Sequence, residues 1–241
     1  MHSAPRLASF PARPQPISID IRRSAVLVID MQNEFGSEGG MFDRAGIDIS
    51  IIRSAIAPTA AVLDAAHKNG VPVIYLKMQH RPDMADMGRE DSPHRIKHGF
   101  FRVGENNVAP DGSPNRVLIE GYWGTEIVKE LSPQPGDLVV PKHRYSGFFE
   151  TELDSILRGR DIKHLIVTGC TTSVCVESTI RDAMFRDYQC CLLADCTGEP
   201  IGNANSRGNH EASLLTIELL LGWVSESKHF IEALTDLKSG G

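Results

Sequence analysis

Residues 164–195 read HLIVTGCTTSVCVESTIRDAMFRDYQCCLLAD. His164–Thr168 (HLIVT) is a short apolar run rich in branched residues, Cys175–Tyr188 carries a helical pattern, and Cys190–Asp195 (CCLLAD) is apolar again. Strand, tight turn, helix and second strand in roughly thirty residues make a βαβ unit, with parallel strands and a right-handed crossover. The same alternation runs outward on both sides. Ala25–Asp30 (AVLVID) predicts a buried parallel strand that ends in a carboxylate, and Ile51–Asn69 a helix closed by Gly70 at its C-terminal cap. Val71–Lys77 predicts a second strand, and Leu138–Lys142 a third, introduced by the turn Pro135-Gly136-Asp137. Thr151–Arg160 predicts a helix ahead of the strand at His164, Asn209–Leu221 a long apolar helix, and Val224–Ser225 the start of a short sixth strand. The expectation is an α/β chain: one three-layer α/β/α domain, Rossmann-like, around a mostly parallel six-stranded sheet.

The chain has 241 residues, 41% hydrophobic and 23% charged, with a formal net charge of -6. That length suits one large domain, and the composition excludes collagen-like, repeat and disordered classes. No run approaches the roughly 18 apolar residues of a membrane helix. An acidic balance argues against nucleic acid, which needs a basic face. A small molecule is the expected partner. Five cysteines in the last third, an odd number, do not form a disulfide framework, and no apolar signal segment opens the chain, so a cytoplasmic address is expected. Residues 1–20, with four prolines, read as an extended N-terminal arm, and residues 21–241 as the domain. Met78–Tyr122, rich in Gly, Pro, Asn and His, lacks clear periodicity and reads as a lid or an oligomer contact.

Ligands of open α/β sheets bind beyond the carboxyl ends of the strands. That rule draws attention to Asp30, to the stretch after Lys77, to Lys142 and to the turn Gly169–Cys175. Cys175 falls in the first turn of a helix, where amide N–H groups favour a thiolate and a developing oxyanion. A small residue packed at a helix start would look the same. Asp30 alone reads equally well as a loop cap, whereas a lysine ending an apolar strand is rarely core. Together, a thiol, a carboxylate to take its proton and an ammonium to steady both make a nucleophile set. His94 and His98, four apart, could share a helix face as zinc ligands, but Pro93 and Gly99 interrupt the segment and no Glu follows the first His. No metal and no cofactor are expected. Neither a phosphate-binding nor a dinucleotide-binding glycine motif is present.

Asp30 in VLVIDMQNEF, Lys142 in VPKHRYSGFF and Cys175 in TGCTTSVCVEST resemble the Asp–Lys–Cys triad of the isochorismatase-like cysteine hydrolases. The resemblance runs from about Ala25 to Ser225. SPQPGDLVVPKHRYSGFFETELDSILR, the CVESTIRD helix and GWVS are most similar to ureidoacrylate amidohydrolases of pyrimidine breakdown, and HRPDMADM (residues 80–87) is similar to biuret hydrolases. Where the former carry an Asn and a Trp after the second strand, this chain has Met78-Gln79-His80. The Asp-x-His metal pattern of the nicotinamidase branch is likewise not matched there.

The resemblance implies a cysteine-dependent amidohydrolase of nitrogen metabolism that cleaves a ureido or N-carbamoyl C–N bond through a thioester. It implies a cis peptide between Cys170 and Thr171, with the Thr171 and Cys175 amides forming the oxyanion hole. Gln79, His80 and Arg81 are then expected to bind a substrate carboxylate or urea-like carbonyl, and Phe35 and Tyr145 to sandwich a planar group. Trp123 is expected either to close the site or to join a subunit contact, and the chain to form a dimer or tetramer. The alternatives are nicotinamidase-type deamidation, isochorismatase vinyl-ether hydrolysis (which dispenses with the cysteine), a non-catalytic binding protein, and a redox sensor using Cys170 and Cys175.

Overall fold

A computed structural model describes residues 4–202 and 208–239. In chain order the strands are β1 (Leu7–Phe10), β2 (Ile17–Asp20), β3 (Ser24–Ile29), β4 (Val73–Met78), β5 (Asn106–Val108), β6 (Pro114–Arg116), β7 (Leu138–Lys142), β8 (His164–Cys170), β9 (Gln189–Gly198) and β10 (Trp223–Ser225). Six of them form one sheet in the order β10-β9-β8-β3-β4-β7, every neighbouring pair parallel.

The pleat sorts the β3 side chains between two layers. Val26 and Val28, with Val73 and Tyr75 of β4, pack against the helices Ile56–Asn69 and Ser227–Ser239 through Val62, Leu63, Phe230 and Leu234. Ala25, Leu27 and Ile29, with Ile74, Leu165 and Val167, pack against Leu153–Gly159, Glu177–Met184 and Asn209–Thr216 through Leu157, Ile180 and Leu214. A strand with both faces covered has no solvent side, so its sequence reads as an apolar run rather than an alternation. The three-layer expectation holds. Gly70 closes Ile56–Asn69 at φ 70, the left-handed C-cap that glycine adopts without steric penalty.

Residues 4–20 depart from the expected extended arm. β1 and β2 pair antiparallel and bury Ala8, Phe10, Ile17 and Ile19 on their own domain, with the Phe10 ring edge-on to Phe230 at 5.8 Å. The period-two alternation in LASF and ISID gives the hairpin one apolar face. Between the two strands Arg13 exchanges backbone hydrogen bonds with Val224, and so extends the sheet edge at β10. The long helix expected at residues 51–69 is split into Ser50–Ser54 and Ile56–Asn69, and the one at 209–221 ends in a π-helical turn from Ile217. Among the described residues no helix is long and apolar enough to cross a membrane.

Candidate active site

β3 delivers Asp30 to the carboxyl edge of the sheet, where the backbone turns to φ 53, a conformation aspartate tolerates better than most residues. Its Oδ1 accepts from the Met78 amide at 3.1 Å, and its Oδ2 from Lys142 Nζ at 2.7 Å. Lys142 ends β7, and β4 lies between that strand and β3. Two strand spacings are about 10 Å, a gap that a long, extended side chain can bridge. The ammonium passes Met78 Sδ at 3.7 Å and also donates to the Arg144 carbonyl at 3.2 Å. Asp30 and Lys142 are each 1% exposed, so this is a fully buried ion pair.

β8 ends beside β3, and Gly169 there has φ +121; a Cβ would stand 2.1 Å from the Ile29 carbonyl oxygen, which only glycine avoids. The Cys170–Thr171 peptide is cis, as the family resemblance implies. A π-helical turn, Thr172–Val176, follows and leads into Glu177–Met184, so the expected helix at 175–188 begins one turn earlier and ends sooner. Glu199 pins this turn: its Oε2 accepts from the Ser173 amide at 2.8 Å and the Ser173 hydroxyl at 2.6 Å. The turn holds the buried Cys175 thiol in hydrogen-bonding contact with the Asp30 carboxylate and the Lys142 ammonium. Three residues from three strand ends, 112 and 33 positions apart, thus meet at one point.

Burial raises the Asp30 carboxyl, against the pull of Lys142. Burial works against the Lys142 ammonium, but Asp30 and Cys175 outweigh it and its pKa rises. Burial and the Asp30 charge both push the Cys175 thiol up, and Lys142 offsets only part of this. Burial and the neighbouring Asp30 thus favour the protonated form of the Cys175 thiol, against the thiolate that a helix-start position favours. The sulfur is therefore not a standing thiolate, because the adjacent negative charge favours keeping the proton on it. Cys170 is also buried, donates from Sγ to the Asp30 carbonyl at 3.1 Å and is raised well above an ordinary thiol, chiefly by burial. All five cysteines are free.

Cys175, Asp30 and Thr171 open into a cavity of ≈ 110 Å³, well under the ~300–1,000 Å³ of drug-sized ligand sites, so its occupant is small. Phe35 and Tyr145, expected to sandwich a planar group, are among its lining residues. Phe42, edge-on to Phe35 at 5.1 Å, and Met41, Phe101, Val174 and Ile201 complete an apolar wall, with exposed Lys97 at the rim. Gln79, His80 and Arg81 do not line it, contrary to expectation. Met78 turns its side chain into the cavity, and the extended backbone beyond β4 sends the next residues elsewhere. Gln79 reaches Glu120 at 3.4 Å, Arg81 pairs with Asp83 at 3.0 Å in solvent, and His80 is wholly buried behind the wall. Trp123 is not among the lining residues either; its carbonyl accepts from Asn33 Nδ2 at 2.9 Å.

Residues 78–122 supply Met78, Lys97, His98, Phe101 and Leu118 to the lining, so this segment covers the cavity. It contains a helix, Pro93–Phe100, whose residues had read as interrupted. Ser92 caps it by accepting from the Arg95 amide at 3.3 Å and Pro93 takes the first helical position, where a missing N–H costs nothing. Ser-Pro was a start signal, not a break. His94 and His98 lie one turn apart on this helix and against His80.

Residues 24–229 match the Isochorismatase domain family. Among solved structures, the chain is similar to a cysteine hydrolase from Pseudomonas syringae pv. phaseolicola 1448A, with 28% identity over 98% of this chain and 100% of that one and a TM-score of 0.76. An isochorismatase family protein from Desulfovibrio vulgaris subsp. vulgaris str. Hildenborough matches at 26% identity over 90% of this chain and 99% of that one, TM-score 0.69. N-carbamoylsarcosine amidase from Thermoplasma acidophilum matches at 25% identity over 85% and 96%, TM-score 0.62. With a six-stranded parallel sheet that gathers an aspartate, a lysine and a cysteine at one edge, and a family match across most of its length, this chain belongs to the isochorismatase family.

Proposed function

We propose that the protein is a cysteine-dependent amidohydrolase that cleaves a C–N bond of a small ureido or N-carbamoyl compound through a thioester. The observation that carries this reading is the contact of Cys175 with the buried Asp30–Lys142 pair at the floor of a small cavity. The likeness to an N-carbamoylsarcosine amidase supports the bond class. Asp30 takes the thiol proton as Cys175 Sγ attacks the ureido carbonyl, and Lys142 keeps Asp30 ionised and oriented until then. Negative charge gathers on the carbonyl oxygen, which rests on the amides of Thr171 and Cys175. Asp30 returns the proton to the departing nitrogen, and the C–N bond breaks to leave a thioester and free ammonia or amine. Water then attacks the thioester, Asp30 accepting its proton and passing it back to the sulfur.

Phe35 and Tyr145 on the cavity wall are suited to a planar group. Lys97 at the rim suits a substrate whose far end carries a carboxylate, such as an N-carbamoyl amino acid or ureidoacrylate, over uncharged biuret or triuret. The test is an ammonia-release screen over ureidoacrylate, biuret, triuret, N-carbamoyl amino acids and nicotinamide with the wild type and Cys175→Ala. Turnover of a ureido compound that disappears in the variant is the expected result. Equal turnover by Cys175→Ala, or activity confined to nicotinamide, refutes the reading.

A further inference from the structure

Behind the cavity wall, three imidazoles from two separate segments face one another. His80 follows β4, and His94 and His98 sit one turn apart on Pro93–Phe100. One ring nitrogen from each lies within 4.8 Å of the other two. The hydrogen bonds around two of the rings say which nitrogen is left to bind. His80 Nδ1 is held by Asp86 Oδ1 at 3.1 Å, and His98 Nδ1 donates to the His94 carbonyl at 2.8 Å. With their protons fixed on Nδ1, both rings carry the lone pair on Nε2. Nε2 of His80 and Nε2 of His94 are buried with no hydrogen-bond partner among the described residues.

A buried polar atom without a partner is costly, and whereas such nitrogens occur singly at His67, His164 and His229, those of His80 and His94 belong to rings that meet each other and His98. Convergent lone pairs are what a cation satisfies, and a ligand histidine whose second nitrogen is held by a carboxylate or carbonyl is the usual arrangement around a metal. We infer that His80, His94 and His98 form a binding site for a divalent first-row transition-metal ion, of which zinc is the reference case. With Zn–N bonds of about 2.1 Å a tetrahedral ion sets its ligand atoms about 3.4 Å apart, so a pair at the 4.8 Å limit would have to close by about 1.4 Å, a side-chain adjustment.

Imidazole is a good ligand for Zn²⁺, Co²⁺, Ni²⁺ and Cu²⁺ and a poor one for Ca²⁺ or Mg²⁺. Asp86 holds His80 through its carboxylate and accepts from Arg144 Nη1 at 2.7 Å through its carbonyl, so an anionic and a cationic group both stand by the cluster. Three neutral ligands leave the ion's charge largely uncompensated and a coordination position free for water or an anion. His98 belongs both to this cluster and to the lining of the cavity, and Tyr145 stacks on it at 5.9 Å.

The test uses the full-length protein, stripped with a chelator, reloaded with Zn²⁺ or Co²⁺ and desalted. About one zinc per chain by elemental analysis, and a visible Co²⁺ absorption of low-coordinate type, are expected. His94→Gln and His98→Gln should weaken binding by about 100-fold or more, taking the upper end of what the loss of a supporting group costs. Cys175→Ser should bind as the wild type does, which separates this site from the nearby thiol. Retention of less than about a tenth of an equivalent by the wild type, or equal binding by the histidine variants, overturns the inference. Should those variants fail to fold, the stripped wild type still decides the matter: its melting temperature rises with free Zn²⁺ if the site exists and is unmoved if it does not.

Discussion

The carboxyl edge of the sheet and the segment covering it meet across one cavity, yet they were written in the sequence by different means. At the sheet edge each functional residue ends or follows an apolar strand: Asp30 after β3, Lys142 closing β7, Cys175 after β8. Their positions follow from periodicity and from the rule that strand ends face the ligand. In residues 78–122 the helix Pro93–Phe100 is short and half-exposed, and what it and its neighbours Phe101 and Leu118 bring to the cavity is set by how the segment lies on the sheet. The difference teaches that a site's chemistry and its selectivity can sit on elements of unequal legibility: the first on the rigid scaffold, the second on the cover.

If that division is right, the sheet edge should govern turnover and the cover should govern affinity. The largest effect belongs to Cys175→Ala, which should cut kcat on any accepted substrate by about 10⁴-fold or more, read by ammonia release. Lys142→Met comes next. It leaves Asp30 buried without its partner, so urea unfolding should show a loss of about 3–5 kcal/mol, with kcat falling alongside. A variant as stable as wild type would mean that the pair is not buried as described.

The third effect is one of pH. Burial and Asp30 hold Cys175 above an ordinary thiol, so its thiolate fraction at neutral pH is smaller than that of free cysteine, with a reference near 8.5. Alkylation of Cys175 in resting enzyme, followed by mass analysis, should therefore climb in the alkaline range; a plateau already reached by pH 7 would mark a standing thiolate and break the account of Asp30 as the base. On the cover, Lys97→Ala should raise KM for a carboxylate-bearing substrate about two- to fivefold, with kcat within about twofold, as expected for one exposed charge–charge contact. The smallest change is expected at Arg81. Its guanidinium pairs with Asp83 in solvent, so Arg81→Ala should alter kcat/KM by less than about twofold.

The extent to which the site was legible follows the same line. Val26, Val28, Leu27 and Ile29 announce a strand because both faces of β3 are buried, and Asp30 stands out because it breaks that run. Phe35 and Tyr145 were found from their proximity in sequence to Asp30 and Lys142. Lys97, Phe42 and Phe101 were missed, although Ser92-Pro93 was an available signal for the helix that carries Lys97. Gln79 and Arg81 were misplaced because proximity to a strand end does not say to which side a side chain turns, and at Met78 one residue's shift reverses the answer. The N-terminal hairpin was hidden by its prolines, which suggested a loose arm, while the alternation at Ala8/Phe10 and Ile17/Ile19 went unused.

The six strands of the central sheet and the places of Asp30, Lys142 and Cys175 at strand ends followed from local pattern, and the family from the motifs around those three residues: burial on both faces imposes a run, a helix imposes a period, and a strand end imposes a location. Folding in three dimensions decided the protonation of Cys175, the shape of the cavity and the meeting of His80 with His94 and His98. Each of those depends on distances between segments remote in the chain, and a charge or a lone pair responds to whatever lies a few ångströms away, whichever part of the sequence supplied it.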